Sequence, residues 1–479
     1  MINTLLETEL QGLYGDHLAK ISQINKWYKI YDGDQEWDTV GDLDYRPTKK
    51  ITNLIKGLID TRARFMFGRE PFFDVRPVKE DEDESTTYKD EAQAKEDLLK
   101  DILVENKFHS KALKAYKDCA IGGRVAIKLW AHKDEGIRII FTPAQEFFVK
   151  YDIDDVDKFE KVIFIYNLND EKQKEDQRIK KQVWELINGR CILNETTHDG
   201  SGKIVSTEYE NYDTSLDFIP VIVIKNGGLT GETEGESDIK QLWDNQDAYN
   251  RLTSDDLDAL KFQMFGQDVI TDAAEKSLEN IKIAPGAMID LQTDQAQMAQ
   301  GKQASVERLE SKFSYSEKFK DTIDRIKNDM YDTLSVPNVG LEQLKGLMQS
   351  GKSMRALYWQ LMAACDEDWI EWNTALMQMA DYIFRMIDVY NIHGNREIAK
   401  YETTLEIIRT YPITDDESEQ KRIDMEEVIA EVRSRESYID KWSNVESVQA
   451  EIEQILKEKQ LFQEDIFTQS LKDDLGDEE

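Results

Sequence analysis

The segment 346–353 contains the residue types with the clearest potential for chemistry. It reads Gly-Leu-Met-Gln-Ser-Gly-Lys-Ser, the nucleotide-binding pattern in which two glycines separated by four residues precede lysine and serine. In such a loop the backbone N–H groups surround the phosphates, the lysine neutralises their charge and the serine hydroxyl binds Mg²⁺. Lys352 and Ser353 would hold the last two roles, so the first hypothesis is an NTPase.

The sequence around this motif does not supply the fold that a nucleotide-binding loop needs. The loop has to follow a buried strand of a parallel sheet, but the residues just before it include Pro337, Gly340 and two charged side chains. No apolar strand ending in aspartate follows to supply a further Mg²⁺ ligand. We therefore favour a structural interpretation, in which Gly346 and Gly351 flank a flexible loop and Ser353 caps the next helix. A P-loop NTPase stays as an alternative.

Other reactive residue types are scattered along the chain. The three cysteines lie far apart without a CxxC pair, and no histidine lies at zinc-ligand spacing from them. Acidic clusters such as 366–368 and 415–417 arise readily among 96 acidic residues and are typical of solvated helix faces. No motif supports a serine, histidine and aspartate arrangement. We expect no metal site, no cofactor, no catalytic residue and no enzymatic activity.

Charge and hydropathy limit the class of protein. The chain of 479 residues has 61 basic and 96 acidic residues, and its formal net charge is -35. Proteins that hold nucleic acid tightly present basic patches, so this charge argues against static DNA binding and fits a surface that must not hold DNA. Solubility alone also accounts for an acidic surface, and from composition it is the simpler explanation. The N-terminus lacks the basic and apolar pattern of a signal peptide, and no run of 18 apolar residues is present. We expect a reducing cytoplasm and no membrane contact.

The first half of the chain has both helical and strand patterns. Apolar spacing predicts helices over 1–30, 51–67 and 91–118, with an acidic loop at 79–92. Short β-rich runs between charged turns then predict an antiparallel meander from about 124 to 226. Its strands are predicted at 124–131, 137–142, 146–152, 161–168, 182–189 and 219–226.

The second half is mainly helical in pattern. Helices are predicted over 238–265 and 313–334, and the irregular excursion between them contains a Pro-Gly pair and a glutamine-rich stretch. From 354 to 391 the chain has neither Gly nor Pro, which predicts one helix more than about 50 Å long. The segment 415–479 is charged and helical in pattern. The predicted fold class is α+β, mainly helical.

Four groups of residues carry a family resemblance through their order and spacing. They are Tyr31-Asp-Gly33 with Phe67-Gly68-Arg-Glu-Pro71; Ile219-Pro220-Val221 with Gly235-Glu-Ser-Asp238 and Asp247-Ala-Tyr249-Asn250; Ser350-Gly351-Lys352-Ser353 to Leu357; and Ser434-Arg-Glu-Ser437 with Asn444-Val445 and Glu451-Ile-Glu453. Together they resemble the portal proteins of long-tailed double-stranded DNA bacteriophages. The third group is similar to a loop end of that family, which accounts for the NTPase-like pattern without a nucleotide. The sequence departs from the family pattern at Lys352-Ser353 in the third group, and residues 75–215 match the family weakly.

The resemblance implies a portal-type fold with wing, stem, clip, long spine helix and crown. The wing would be 1–238, the stem helices 239–265 and 313–334, the clip 266–312, the tunnel loop 335–353, the spine helix and its return to the wing 354–412, and the crown 413–479. It also implies a ring homo-oligomer, typically a dodecamer, at one capsid vertex. Double-stranded DNA would be packaged and ejected through the channel of that ring.

The resemblance also implies roles for particular residues. The clip would dock the packaging terminase and then the head-completion adaptor through Ile283, Pro285, Gly286 and Met288. The tunnel-loop residues nearest the DNA would be Gln343, Leu344, Lys345, Leu347, Met348 and Gln349. Candidate basic residues of the channel wall are Lys312, Lys318, Lys320, Arg325 and Lys327.

Further partners implied by the resemblance are the major capsid and scaffolding proteins. The expected location is the virion, at the capsid vertex, with the host cytoplasm during assembly. A helical scaffold or adaptor without a channel stays as a second alternative to the portal.

Replacement of the lysine in the NTPase-like motif tests the first hypothesis. We expect Lys352→Ala to leave ATP binding at background, because the native chain has no phosphate site to lose. Equilibrium binding of labelled ATP to both proteins measures this. Saturable binding by the native chain that disappears in the variant would contradict the structural interpretation of the motif.

Overall fold

The computed structural model shows a chain of mixed helix and sheet. It describes residues 17–37, 45–79, 88–132, 135–155, 158–169, 173, 176–264, 267–274, 292–309, 315–340, 351–413, 417–442 and 448–457. The content is 50% helix and 23% strand, in agreement with the predicted α+β class. The chain divides into two units, one formed by 1–338 and 360–412 and the other by 339–359 and 413–479.

Helices and one strand open the first unit. They are α1 (His17–Asp32), α2 (Leu54–Phe67), β1 (Phe72–Pro77), α3 (Tyr88–Glu105) and α4 (Phe108–Gly122). Asn53 caps α2 by accepting a hydrogen bond from the Lys56 amide at 3.2 Å. One helix is predicted over 91–118, but the chain breaks at Lys107, whose φ of 52° is incompatible with a continuous right-handed helix. Two helices form as a result.

The antiparallel strands that follow form two sheets. They are β2 (Arg124–His132), β3 (Gly136–Pro143), β4 (Phe147–Tyr151), β5 (Phe159–Asn167), β6 (Ile179–Ile187), β7 (Arg190–His198), β8 (Ile204–Asp213) and β9 (Val221–Lys225). β4 to β8 pair in chain order, whereas β9 returns to β2, with Arg124 opposite Lys225, in the sheet β3-β2-β9. The predicted single meander is wrong here because this pairing joins residues about a hundred positions apart, which local periodicity does not encode.

A two-stranded ribbon joins distant parts of the first unit. β12 (Thr403–Ile408) pairs antiparallel with β1, with Phe72 opposite Ile408 and Pro77 opposite Thr403. Neither strand is among those predicted from the sequence. Their pairing joins positions more than 300 residues apart, which local periodicity does not encode.

The second half of the chain is mainly helical, as predicted. Its elements up to residue 399 include α5 (Asp238–Met264), β10 (Gln267–Thr271), α6 (Gln295–Met298), β11 (Ser305–Leu309), α7 (Ser316–Thr333), α8 (Gly351–Leu357), α9 (Trp359–Tyr390) and α10 (Arg396–Ala399). α5 and α7 agree with the predicted helices 238–265 and 313–334. The predicted helix over 354–391 is interrupted by a turn at Tyr358. The long helix α9 therefore has 32 residues and a length of about 48 Å.

Aromatic side chains form the core between α2, α4 and α9. Phe67, Tyr116 and Trp372 are fully buried, and the ring centroids of Phe67 and Trp372 lie 4.8 Å apart. Cys365 on α9 is buried and free, as its apolar surroundings predict. Rings of this size bury large apolar areas and contribute strongly to the stability of the core.

A buried ion-pair network crosses this core. The two terminal nitrogens of Arg62 on α2 contact Asp368 of α9 at 2.6 Å and Asp238 of α5 at 3.5 Å. Tyr116 donates a hydrogen bond to Asp368, and Asn226 donates one to Asp238 at 2.8 Å. Burial would lower the pKa of the Arg62 guanidinium, but Tyr116, Asp238 and Asp368 raise it well above its usual value. Arg62 thus remains charged and joins four elements.

The second unit contains α8 and two C-terminal helices, α11 (Glu417–Ile429) and α12 (Arg435–Trp442). The buried carboxylate of Asp424 accepts hydrogen bonds from Lys441 at 2.7 Å and from the Trp442 indole at 2.6 Å. Ser434 accepts a hydrogen bond from the Ser437 amide at 3.1 Å and so caps α12. The predicted cap at Ser353 is wrong, because α8 begins at Gly351 and Ser353 lies inside it.

Removal of Arg62 tests the importance of the buried network. Arg62→Met should lower the free energy of unfolding by about 3–5 kcal/mol, because two buried carboxylates lose their counter-charge. Arg64→Met is the matched control: Arg64 is two residues away on α2, its side chain is 66% exposed, and its ion pair with Asp60 is 3.9 Å long. That variant should change stability by no more than about 1 kcal/mol. Denaturant unfolding followed by tryptophan fluorescence measures both stabilities. Equal losses of stability in the two variants would contradict the importance of the buried network.

Candidate functional site

α5 and α7 pack against each other as a helical hairpin in the first unit. β10 continues from α5 and pairs antiparallel with β11, which precedes α7, with Gln267 opposite Leu309 and Thr271 opposite Ser305. Beyond the strands, Ala273 and Thr293 form an antiparallel bridge. We call α5, β10, β11 and α7 the hairpin. Both predicted helices are present, and the described part of the excursion between them contains two paired strands.

Several of the predicted site residues fall outside the described part of the chain. Among them are the four clip candidates Ile283, Pro285, Gly286 and Met288. The six tunnel-loop candidates, Gln343, Leu344, Lys345, Leu347, Met348 and Gln349, also lie there, as does Lys312. The structure therefore brings together only the predicted residues of α7.

The outer surface of α7 carries basic and acidic residues together. Lys318, Lys320 and Arg325 are exposed, whereas Lys327 is half-buried, with its ammonium 5.6 Å from the ring centroid of Tyr331. Acidic residues alternate with them along the helix: Glu317, Asp321, Asp324, Asp329 and Asp332. A surface of this kind attracts phosphates at single points but does not form the continuous basic patch of a tight DNA-binding site.

A row of buried polar side chains on α5, which we call the ladder, binds a neighbouring segment of backbone. Gln246, Asn250, Ser254 and Asp258 follow one another at four-residue intervals, and all four are buried. Each of them accepts one hydrogen bond from a backbone amide of the segment 48–54, which we call the strap. The four amides lie at alternate positions of that segment. The bonds join Gln246 to the Leu54 amide (3.0 Å), Asn250 to Thr52 (3.0 Å), Ser254 to Lys50 (3.0 Å) and Asp258 to Thr48 (2.9 Å).

The ladder works because two repeats have nearly the same length. Four residues of an α-helix rise about 6.0 Å, and two residues of an extended chain rise about 6.6 Å. The side chains of α5 thus satisfy backbone amides that would otherwise need a sheet partner. Burial would raise the pKa of Asp258, but hydrogen bonds from Thr48 and Lys261 hold that pKa below its usual value. The carboxylate is therefore an acceptor at neutral pH.

The ladder was not predicted, and only a weak signal in the sequence points to it. Apolar spacing on α5 predicts packing residues such as Leu242 and Leu260; Leu242 is buried, but Leu260 is 44% exposed. A polar residue at every fourth position usually indicates a solvated helix face. The informative feature is that three of the four residues are uncharged and three are short, which suits them to bind a backbone closely.

Neither a cluster of metal-ligating side chains nor a parallel sheet is present among the described residues. Among them, no group of three or more His, Cys, Asp and Glu side chains is placed to hold a metal ion. In the same residues, each paired strand is antiparallel to its neighbours, whereas a P-loop fold is built on a parallel sheet. No helix among the described residues is long and apolar enough to cross a membrane.

Comparison with known protein families identifies the class of protein. A model of the family described as phage portal protein, SPP1 Gp6-like, matches residues 11–465, which is nearly the whole chain. The chain belongs to this family of phage portal proteins. The match includes the hairpin, both sheets and the long helix α9, so the hairpin is part of a portal protein. No curated protein sequence matches the chain at a significant level.

A substitution in the ladder tests whether it fixes the strap of this portal protein. Asn250→Leu should lower the free energy of unfolding by about 1–3 kcal/mol, because the Thr52 amide and the Gln35 side chain each lose a hydrogen-bond partner. Hydrogen exchange of the strap amides should become faster in the same variant.

Asn245→Leu is the matched control for this substitution. Asn245 lies five residues earlier on α5 and takes no part in the ladder, so the change should stay within about 0.5 kcal/mol. Mass spectrometry of exchanged peptides that cover 48–54 gives the readout. Unchanged exchange in Asn250→Leu would show that the strap is held by other contacts.

Proposed function

We propose that this portal protein assembles into a closed ring, a dodecamer, at one vertex of a phage capsid. Double-stranded DNA passes through the channel of the ring during packaging and ejection. The observation that carries the proposal is the family match over residues 11–465. Portal proteins are structural proteins, and we assign this chain no enzymatic activity.

The shape and surface of the hairpin support assembly into a ring. α5 is about 40 Å long from its 27 residues, which is long enough to form part of a channel wall. Near its end Leu260 and Met264, which are four residues apart and so lie on one face of the helix, are 44% and 70% exposed. Exposed apolar patches mark protein interfaces, so we infer that the neighbouring subunit covers them.

The charges of the chain suit a channel through which DNA slides. The net charge of -35 repels phosphates, and the basic residues of α7 are separated by acidic ones. Lys318, Lys320 and Arg325 would give weak, point-like contacts in rings around the channel. Binding strength grows with the number of phosphates neutralised, so few and separated basic groups let DNA move.

The remaining parts take their roles from the family. In this proposal 1–238 is the wing, 239–265 and 313–334 are the stem helices, 266–312 is the clip, 335–353 is the tunnel loop, 354–412 is the spine helix and its return to the wing, and 413–479 is the crown. The clip docks the terminase and later the head-completion adaptor, and the major capsid and scaffolding proteins surround the ring. Assembly takes place in the host cytoplasm and ends in the virion.

Native mass spectrometry with a hairpin variant tests this function. The native chain should form a species of about 670 kDa, which is twelve times 55.7 kDa. Met264→Asp should shift the population to smaller species, because it places a charge in the proposed interface. Ile153→Asp is the control, since Ile153 is 93% exposed and lies outside the hairpin.

The outcome separates the portal from both alternatives. Monomers or dimers of the native chain at micromolar concentration would contradict the ring and favour an adaptor. ATP hydrolysis by the isolated chain would favour the NTPase. A ring that Met264→Asp leaves intact would retain the channel but remove the hairpin from the interface.

A further inference from the structure

β8 is an uncovered edge of the five-stranded sheet. Among the described strands it pairs only with β7, and it has ten residues. Nine of the ten are exposed, including the apolar Ile204, Val205 and Tyr212. A long exposed edge presents unpaired N–H and C=O groups that can bind an added strand, and proteins usually cover or interrupt such edges.

An aromatic cavity opens beside this edge. Its volume is about 590 Å³, within the range of sites that accept a side chain or small molecule. Tyr209 and Tyr212 of β8 line it together with Trp130, Trp184 and Tyr390. The rings form a connected set, with centroid distances of 5.6 Å between Trp130 and Trp184, 6.3 Å between Trp130 and Tyr209, and 5.1 Å between Tyr209 and Tyr212.

One polar group in the cavity wall has no partner. The side chain of Trp184 is buried, and its indole N–H makes no hydrogen bond within the described part of the chain. Buried polar groups without partners are uncommon in folded proteins. An occupant with a carbonyl or another acceptor could satisfy this group after a small side-chain movement, which favours a peptide over a purely apolar molecule.

Charge determines which partner fits the edge. β8 contains Glu208, Glu210 and Asp213 and no basic residue. A second copy of the same edge would place like charges opposite one another, which destabilises strand pairing. A basic strand would instead gain opposite-charge pairs along the edge, and one of its Lys or Arg side chains could lie against the aromatic rings of the cavity.

We propose that β8 and the adjoining aromatic cavity form a docking site for an extended, basic segment of a partner protein. The segment adds as a sixth strand to the sheet and inserts one Lys or Arg side chain into the cavity. The proposal does not depend on ring formation, because all of its residues belong to one unit of a single chain.

Peptide binding to the full chain tests the site. The probe is a capped, fluorescently labelled decapeptide that alternates arginine and valine, which as a strand places the charges on one face. Its partner probe alternates glutamate and valine. Fluorescence anisotropy should show saturable binding of the arginine peptide and binding at least about tenfold weaker for the glutamate peptide.

Two variants distinguish the site from general attraction to an acidic protein. Tyr212→Ala changes no charge and removes a ring that is 50% exposed, so it should weaken binding about fivefold without unfolding the sheet. Glu210→Lys should weaken it at least as much. Glu105→Lys makes the same charge change at the exposed end of α3 and should leave binding unchanged.

Three results would overturn the proposal. The first is equal binding of the two peptides, and the second is a Tyr212→Ala variant that binds as the native chain does. The third is an absence of peptide binding together with a change in native mass in Glu210→Lys, which would make this edge a contact between copies of the chain. Circular dichroism of each variant verifies that the sheet remains folded.

Discussion

One buried cation links four helices of the first unit. Arg62 is the point at which α2, α4, α5 and α9 meet, through its contacts with Asp238 and Asp368 and the hydrogen bond from Tyr116 to Asp368. A charge of this kind is stable in a core only when its counter-charges are placed around it. The positions of the first residue of α5 and the first third of α9 are therefore fixed relative to each other.

Different kinds of interaction therefore fix the hairpin at the start of α5 and along the side of that helix. At the start of α5, Asp238 forms an ion pair with Arg62 and accepts a hydrogen bond from the side-chain amide of Asn226. Along the side, the polar ladder binds the strap through neutral and charged hydrogen bonds, each of which has strict geometry. Such support suits a long element that carries a proposed channel wall and the proposed clip, because Met330 is the one fully buried residue of α7.

Local pattern was sufficient for some of the fold and insufficient for the rest. Helices α5 and α7 and strands β2 to β6 were predicted within a few residues because their apolar periodicity is strong. β7 and β8 were missed because residues such as Thr196, Thr207 and Glu208 make them polar, and β12 was missed because its partner β1 is distant.

The candidate site was predictable to a similar degree. The hairpin and the basic residues of α7 follow from the sequence, since helices and their charged residues are local features. The ladder does not follow from the sequence, because the strap that buries its polar residues is about 200 positions away. On α5 alone, those residues resemble a solvated helix face. In the proposed ring, the side of α7 that faces DNA would be set by neighbouring subunits, so it follows from symmetry and not from one chain.

The β1–β12 ribbon has a consequence for synthesis on the ribosome. β1 ends at Pro77, and its partner begins at Thr403, so β1 emerges long before the strand that will pair with it. At about 5–20 residues per second, the interval is roughly 15–65 seconds. During that time the N-terminal helices can form locally, but the edge of β1 stays available to other chains. Completion of the first unit is thus a late, nearly post-translational event, and the nascent chain has to remain unaggregated until then.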